Sequence, residues 1–408
     1  MSTAQPPVLK PIVDEPVPVL DARWGEAELS RLTAMVKQRS LFYWKGPQTE
    51  ALATEFRRHY GLKHVFPCSS GSAALHIAVA ALRLKPGDEV IVSPITDMGS
   101  VIGILYQQGV PVFADLDPRT YNMDPAAISK VISPKTRAIM AVHLAGNACD
   151  MTAICALAKT HNLVVIEDCA QSWGAQHQGT NVGLMGDIGC FSFNDFKHVS
   201  CGDGGMVGTN RDDFGQGLSK WGDKCYDRTA GTRDPEELAP NYRMSEPQSA
   251  VCTAQLTKLE HIVSRRNRAG SRLTAALADL PGILAPVTRP GDRHSYWFYL
   301  LRLDLAALTV NRADFVEALK AQGVAASPGY IPMPVYRYKV FQNHNFFGGT
   351  WPARDLGATT MNYTKVHCPV AEAILQDCVV LPLNEAMSDG YIDKVARAIR
   401  TVAASRLL

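Results

Sequence analysis

Short apolar runs alternate with helix-periodic stretches through the first two hundred residues of the chain. HVFPCSS leads into Gly71-Ser72 and the segment AALHIAVAAL, and Pro86-Gly87-Asp88 turns into EVIVSP. VPVFAD, RAIMAVHL, VVIED, GCFSF and GGMVGT follow, with helix-like segments at Ser100 to Gln108, Pro125 to Val131 and Asp150 to His161. Strands that are almost wholly apolar and alternate with helices predict an α/β fold, a mostly parallel sheet covered on both faces. Helices are expected at Glu26 to Gln38 and Thr49 to Tyr60. Prolines at 6, 7, 11, 16 and 18 predict an extended arm over about residues 1–25.

From Asn241 the pattern changes. One long helix is expected from Glu246 to Leu277, with Pro247 tolerated in its first turn. A strand in YWFYLLRLDL, a capped helix from Asn311 to Gln322, an irregular section over 327–367, the strand CVVLPL and a helix from Ser388 to Ala403 complete the chain. This is α+β content. With 408 residues it suggests a large domain over 26–260 and a small C-terminal domain over 261–408.

Composition narrows the function classes. A formal net charge of +2 and no block of like charges argue against nucleic acid or membrane partners. The ten cysteines show no CxxC pair, and most lie in apolar runs, so reduced, buried thiols are expected rather than disulfides or metal ligands. No stretch of eighteen apolar residues occurs, and the Pro-rich opening does not resemble a secretory signal. The expectation is a cytoplasmic protein without a metal.

The chemistry concentrates between Val164 and Val207. An apolar run ends in Glu167-Asp168, and a carboxylate at the C-terminal edge of a parallel strand lies where α/β sheets bind ligands. Downstream, Lys197 stands among aromatic residues at 191, 193 and 196, and Gly202-Asp203-Gly204-Gly205 returns the chain. An acid that keeps a pyridine nitrogen protonated and a desolvated lysine are what a pyridoxal phosphate (PLP) enzyme needs. Ser70-Gly71-Ser72, at a helix start, suits a phosphate, with Ser192 as a further hydroxyl and Gln171 as another ligand contact. Each feature also has a plainer reading: an N-cap at Ser70 or Asp168, a surface lysine at 197.

Together these motifs resemble the DegT/DnrJ/EryC1/StrS family of PLP-dependent aminotransferases. The resemblance rests on Glu167-Asp168-Cys169-Ala170-Gln171, on Gly179, Gly183 and Gly186-Asp187, on Ser192-Phe193 with Lys197, and on Gly202 to Gly205. Ser70-Gly71-Ser72, Pro86 to Val90, Pro111 to Asp117, Tyr121 to Asp124, His143 with Gly146 and Asp150-Met151, and Asn241 to Glu246 extend it over roughly residues 30 to 400.

The resemblance implies fold type I of the PLP-dependent transferases and an amino group passed from Glu or Gln to a keto-sugar or keto-cyclitol. It implies that Lys197 carries the cofactor and moves the proton, that Asp168 binds the ring nitrogen, and that Gln171 lies against the ring. Ser70, Gly71, Ser72 and Ser192 would hold the phosphate. Asn241 would reach the phosphate of a neighbouring subunit, which makes the expected assembly a homodimer with shared active sites.

Three positions depart from the family pattern: Asp203 for Glu, His198 for Asn, and Asp97 where an aromatic residue usually stacks on the cofactor. Asp97, His198 and Tyr330 are therefore candidate substrate contacts, with Tyr336 and Arg337 on the same long loop. The rival readings are a PLP- or PMP-dependent sugar dehydratase, an amino-hydroxybenzoate-synthase-like enzyme, and a non-catalytic PLP-binding regulator. The HxAG pattern at His143 to Gly146 and the YWFYLLRL run favour a small cyclic ketone over a nucleotide sugar.

Overall fold

The computed structural model describes residues 10–20 and 23–407. Its centre is a seven-stranded sheet: β1 (His64–Cys68), β2 (Glu89–Val92), β3 (Val110–Phe113), β4 (Thr136–Val142), β5 (Val164–Asp168), β8 (Ile188–Ser192) and β9 (Gly205–Thr209). A two-stranded ribbon, β6 (Gln176–His177) and β7 (Thr180–Asn181), lies between β5 and β8. The sheet order is β1-β9-β8-β5-β4-β2-β3, and β9 alone runs antiparallel to its neighbours. Helices α1 (Glu26–Val36), α2 (Pro47–Tyr60), α3 (Gly71–Ala81), α4 (Gly99–Tyr106), α5 (Pro125–Val131) and α6 (Met151–His161) belong to the same unit. Residues on both faces of β2, β4 and β5 are buried, which explains why these strands read as continuous apolar runs.

The mostly parallel sheet expected from the sequence is present. The inserted strand β9 was not foreseeable, because antiparallel and parallel runs of this kind look alike in sequence. Its place depends on Gly205, where a Cβ would stand 2.1 Å from the Ser70 carbonyl oxygen. The register sets Gly205 opposite both Cys68 and Ser192. One strand thereby joins the start of α3 to the end of β8.

The helix expected from Glu246 to Leu277 is two helices, Glu246–Leu256 and Leu259–Leu277. The Thr257 hydroxyl donates to the Ala254 carbonyl (2.7 Å), a local bond that competes with helix continuation. Glu246 is fully buried and accepts from the Gln48 and Thr49 amides (3.0 and 2.8 Å) and from the Thr49 hydroxyl (2.6 Å). A carboxylate from one helix therefore caps the start of α2.

A second, three-stranded sheet has the order β10 (Ile283–Leu284), β11 (Tyr299–Leu303) and β12 (Cys378–Leu381). Its core includes Leu273, Leu301, Phe315, Ile392 and Ile399. The stretch of the arm around Val13 to Glu15 lies on this unit: Val13 donates to the Gln322 carbonyl (3.0 Å) and Lys394 pairs with Asp14 and Glu15, each at 2.8 Å. The section over 327–367 contains only single helical turns, yet Val335, Tyr336, Phe341, Trp351 and Tyr363 are buried against the large sheet. A further helix, Pro369–Asp377, is capped from outside by Asp115, which accepts from Val370 and Ala371 (3.0 and 2.9 Å).

Replacing Glu246 by Ala leaves two amides and a hydroxyl without their acceptor. The expected loss is about 2–4 kcal/mol of unfolding free energy, with Glu246→Gln retaining part of it, read from urea denaturation.

Candidate active site

The C-terminal ends of β1, β2, β5 and β8 open onto one cleft, of about 260 Å³. Asp168 ends β5 and points into it, while Glu167, one residue earlier, points to the other face as strand alternation requires. Glu167 is saturated: it accepts from the amides of Gly183, Met185 and Gly186 (2.7, 2.8 and 2.6 Å) and pairs with His143 (3.1 Å). Gly183 and Gly186 thus serve the acid beside the site rather than the site itself. His143, Glu167 and Cys169 are close enough to suggest metal ligands. The bonds just given, together with the Cys149 amide on His143 Nδ1 (3.0 Å), occupy the first two of them.

Asp168 is 4% exposed and accepts from the Ser100 hydroxyl (2.7 Å) and the Ala170 amide (3.0 Å). Burial pushes its carboxyl upward, opposed by those two donors and by the nearby Lys197. Lys197 lines the same cleft on the loop after β8. Burial lowers its amine from 10.5 to about 8, against the pull of Asp168 and Asp97. Its Nζ lies 3.6 Å from the centre of the Trp297 ring.

The other end of the cleft is built at the start of α3. Ser70 is the N-cap, its hydroxyl accepting from the Ala73 amide (3.0 Å). The N-cap reading and the anion-cradle reading are therefore compatible, since the next backbone N–H groups stay free to face the cleft. At Gly71 a Cβ would meet the Ser192 Cβ at 2.7 Å, and at Gly99 one would meet the Ser72 hydroxyl at 2.5 Å. Ser70, Gly71, Ser72 and Ser192 all line the cleft.

The remaining candidates are placed as follows. Gln171 lines the cleft, accepting from the Ala145 amide (2.9 Å) and donating to the Tyr330 hydroxyl (3.1 Å). Asp97 lies exposed at the mouth, one oxygen taking the Gly99 amide (2.8 Å). Asp203 also lines it and accepts from Asn194 (3.1 Å). His198 turns away: it is fully buried, and its Nε2 donates to the Ser295 carbonyl (3.0 Å). Asn241 is exposed outside this chain's own cleft, its side-chain oxygen accepting from Arg243 Nε (2.7 Å). Tyr336 is in the core, and Arg337 pairs with Glu372 (3.0 Å).

Sequence reasoning missed Thr96, Ser100, Asn194 and Trp297. Ser100 bonds Thr96 (2.6 Å) as well as Asp168, and its position just past the end of β2 was the available signal. Trp297 lies just before β11 in the YWFYLLRL run, and nothing local tied it to Lys197.

The sequence matches the DegT/DnrJ/EryC1/StrS aminotransferase family over residues 23–400. The chain belongs to this family. Its relatives include a GDP-perosamine synthase of Caulobacter vibrioides, 33% identical over 85% of this chain and 88% of that protein. Another is a UDP-N-acetyl-3-dehydro-alpha-D-glucosamine 3-aminotransferase of Acidithiobacillus ferrooxidans, 35% identical over 87% of this chain and 88% of its own length. Among solved structures, an aminotransferase from Psychrobacter cryohalolentis superposes with a TM-score of 0.83 at 28% identity, covering 95% of this chain and 99% of that one.

This DegT-family chain is thus a PLP-dependent aminotransferase of the sugar-aminotransferase group. The cleft fits that cofactor. It offers a buried carboxylate for a protonated ring nitrogen, a desolvated amine for the aldehyde, and a helix start pared to glycine for the phosphate.

Two outcomes follow from this geometry. Ser100→Ala removes a donor from Asp168 and should weaken PLP binding about tenfold, read by titrating the cofactor-free protein. Only the neutral Lys197 amine attacks an aldehyde. The reconstitution rate should therefore rise about tenfold per pH unit below 8 and level off above it. An unburied amine would keep gaining rate toward pH 10.5.

Proposed function

We propose that the enzyme moves an amino group from glutamate or glutamine to the carbonyl of a keto-sugar or keto-cyclitol, with Lys197 as its catalytic residue. The observation that carries this reading is the Lys197 amine, with its lowered pKa, in one cleft with the buried Asp168. When bound, PLP supplies an aldehyde that exchanges amines and a ring that draws electrons from the carbon losing its proton. Lys197, about half neutral at pH 8, would take that proton and return it to the carbon on the other side of the transferred nitrogen. Asp168 keeps the ring nitrogen protonated, and its low-dielectric setting strengthens that pairing. Ser70, Gly71, Ser72 and Ser192 anchor the phosphate, and Gln171 fixes the ring edge together with Tyr330.

The named activities of the relatives favour a nucleotide-linked keto-sugar as acceptor. Of the two features that pointed to a small cyclic ketone, His143 is buried on Glu167, and the YWFYLLRL run brings only Trp297 to the Lys197 amine while Tyr299, Leu301 and Leu303 lie in the smaller core. Asp97, with one oxygen uncommitted to Gly99, and the Tyr330 hydroxyl suit the hydroxyls of the acceptor. The dehydratase reading loses its support at His198, whose buried ring on Ser295 is turned from the position a base would need.

We assign the working form to a homodimer in which the exposed Asn241 of each subunit serves the other's phosphate site. Ten free cysteines suit a reducing compartment, so we place the reaction in the cytoplasm.

Addition of glutamate or glutamine to the PLP-loaded protein should bleach the visible cofactor band, and an acceptor keto-sugar should restore it. Lys197→Ala should lack both that band and turnover; full activity in this variant would end the proposal. Asn241→Ala should bind PLP more weakly. If the site is shared, mixing Asn241→Ala with Lys197→Ala subunits should recover activity that neither has alone, because one site of the hybrid is intact.

A further inference from the structure

The loop that carries Lys197 offers four successive carbonyl groups, Asp195 to His198, and the side chains of Arg23 and Trp297 hold all of them. The Arg23 guanidinium donates to the carbonyls of Asp195 and Lys197, and to that of His198 at 3.3 Å. Trp297 Nε1 donates to the Phe196 carbonyl at 2.7 Å. His198 Nε2 ties the far side of the loop to Ser295 at 3.0 Å. The loop's own backbone supplies little: the Lys197 amide bonds Asn194 (2.9 Å), and Phe196 is 76% exposed. A loop so thinly bonded within itself would otherwise leave a long, flexible side chain free to wander.

Both donors are themselves fixed. The Arg23 carbonyl accepts from Gln255 (3.1 Å) and Lys258 (3.2 Å), at the break between the two helices. Trp297 is held by its amide on the Ala145 carbonyl (2.9 Å) and by Arg266 on its own carbonyl (3.2 Å), and Arg266 pairs with Glu385 (2.8 Å). This close docking explains Gly146: with φ +95, its missing Cβ would stand 2.7 Å from the Tyr296 amide. The indole that grips the loop also lies over the Lys197 amine.

We propose that Arg23 and Trp297 are positioning residues for Lys197, clamping its loop between the N-terminal arm and the C-terminal domain. The clamp rests on the reading of Lys197 as the cofactor lysine. It requires a planar, multi-donor cation on one side and a ring N–H on the other, so neither residue is interchangeable with a merely charged or merely apolar one. Misplacing a reacting group by about 1 Å can cost on the order of a hundredfold in rate, so a loosened loop should act on turnover and not on binding of the amino donor.

The test compares Arg23→Ala, Arg23→Lys, Trp297→Phe and Lys197→Ala in the full-length, PLP-loaded protein. Arg23→Ala and Trp297→Phe should each lower kcat about tenfold or more while KM for the amino donor stays within about twofold. The visible circular dichroism of the cofactor should shrink in both, with the melting temperature little changed. Arg23→Lys should recover part of kcat. Unchanged kcat and dichroism in the two variants, or losses matched by a general fall in melting temperature that Arg23→Lys does not relieve, would overturn the clamp. A Lys197→Ala protein that keeps the visible band would instead overturn the assignment of Lys197 itself.

Discussion

A carboxylate kept inside the protein at the end of a central strand is the constraint on which the rest depends. Asp168 is buried, and its charged form is held by the Ser100 hydroxyl, the Ala170 amide and the nearby Lys197 amine. Burying a carboxylate is unfavourable unless such partners offset its desolvation. The sheet around it makes that possible. Parallel strands bring their C-terminal ends to one edge, and the helices that follow begin there with free backbone N–H groups. The acid, the amine and the glycine-pared helix start meet at one sheet edge.

The same edge explains how two adjacent acids have different tasks. Glu167 faces the interior side of the strand, where three amides and a histidine hold it charged, and burial is outweighed by those partners. Asp168 faces the cleft, where burial prevails and the carboxyl rises. One residue of strand alternation separates a saturated structural anion from one that lines the cleft. Lys197 shows the complementary effect, since desolvation lowers a cation's pKa as it raises an anion's.

The departures at 97, 198 and 203 resolve into different kinds of position. Asp97 and Asp203 stand at the cleft mouth, each with one oxygen engaged by a neighbouring N–H donor. His198 lies behind the loop and joins it to Ser295. Substitutions beside a reactive lysine can therefore alter the cleft or only its support, and sequence adjacency does not distinguish the two.

Periodicity and punctuation alone determined the strands and most helices, because an apolar run buried on both faces leaves the same trace wherever it sits in a sheet. They also marked Asp168, Lys197 and the Ser70 to Ser72 turn, whose residue types are unusual for their surroundings. The break at Thr257 was hidden, since a single hydroxyl bond decided it. The tertiary structure alone decided that β9 enters between β1 and β8, that Ser100 supports Asp168, and that Arg23 and Trp297 reach the lysine loop from distant places before and after it in the chain. Such contacts join residues tens to hundreds of positions apart, and their geometry comes from packing, which no local pattern encodes.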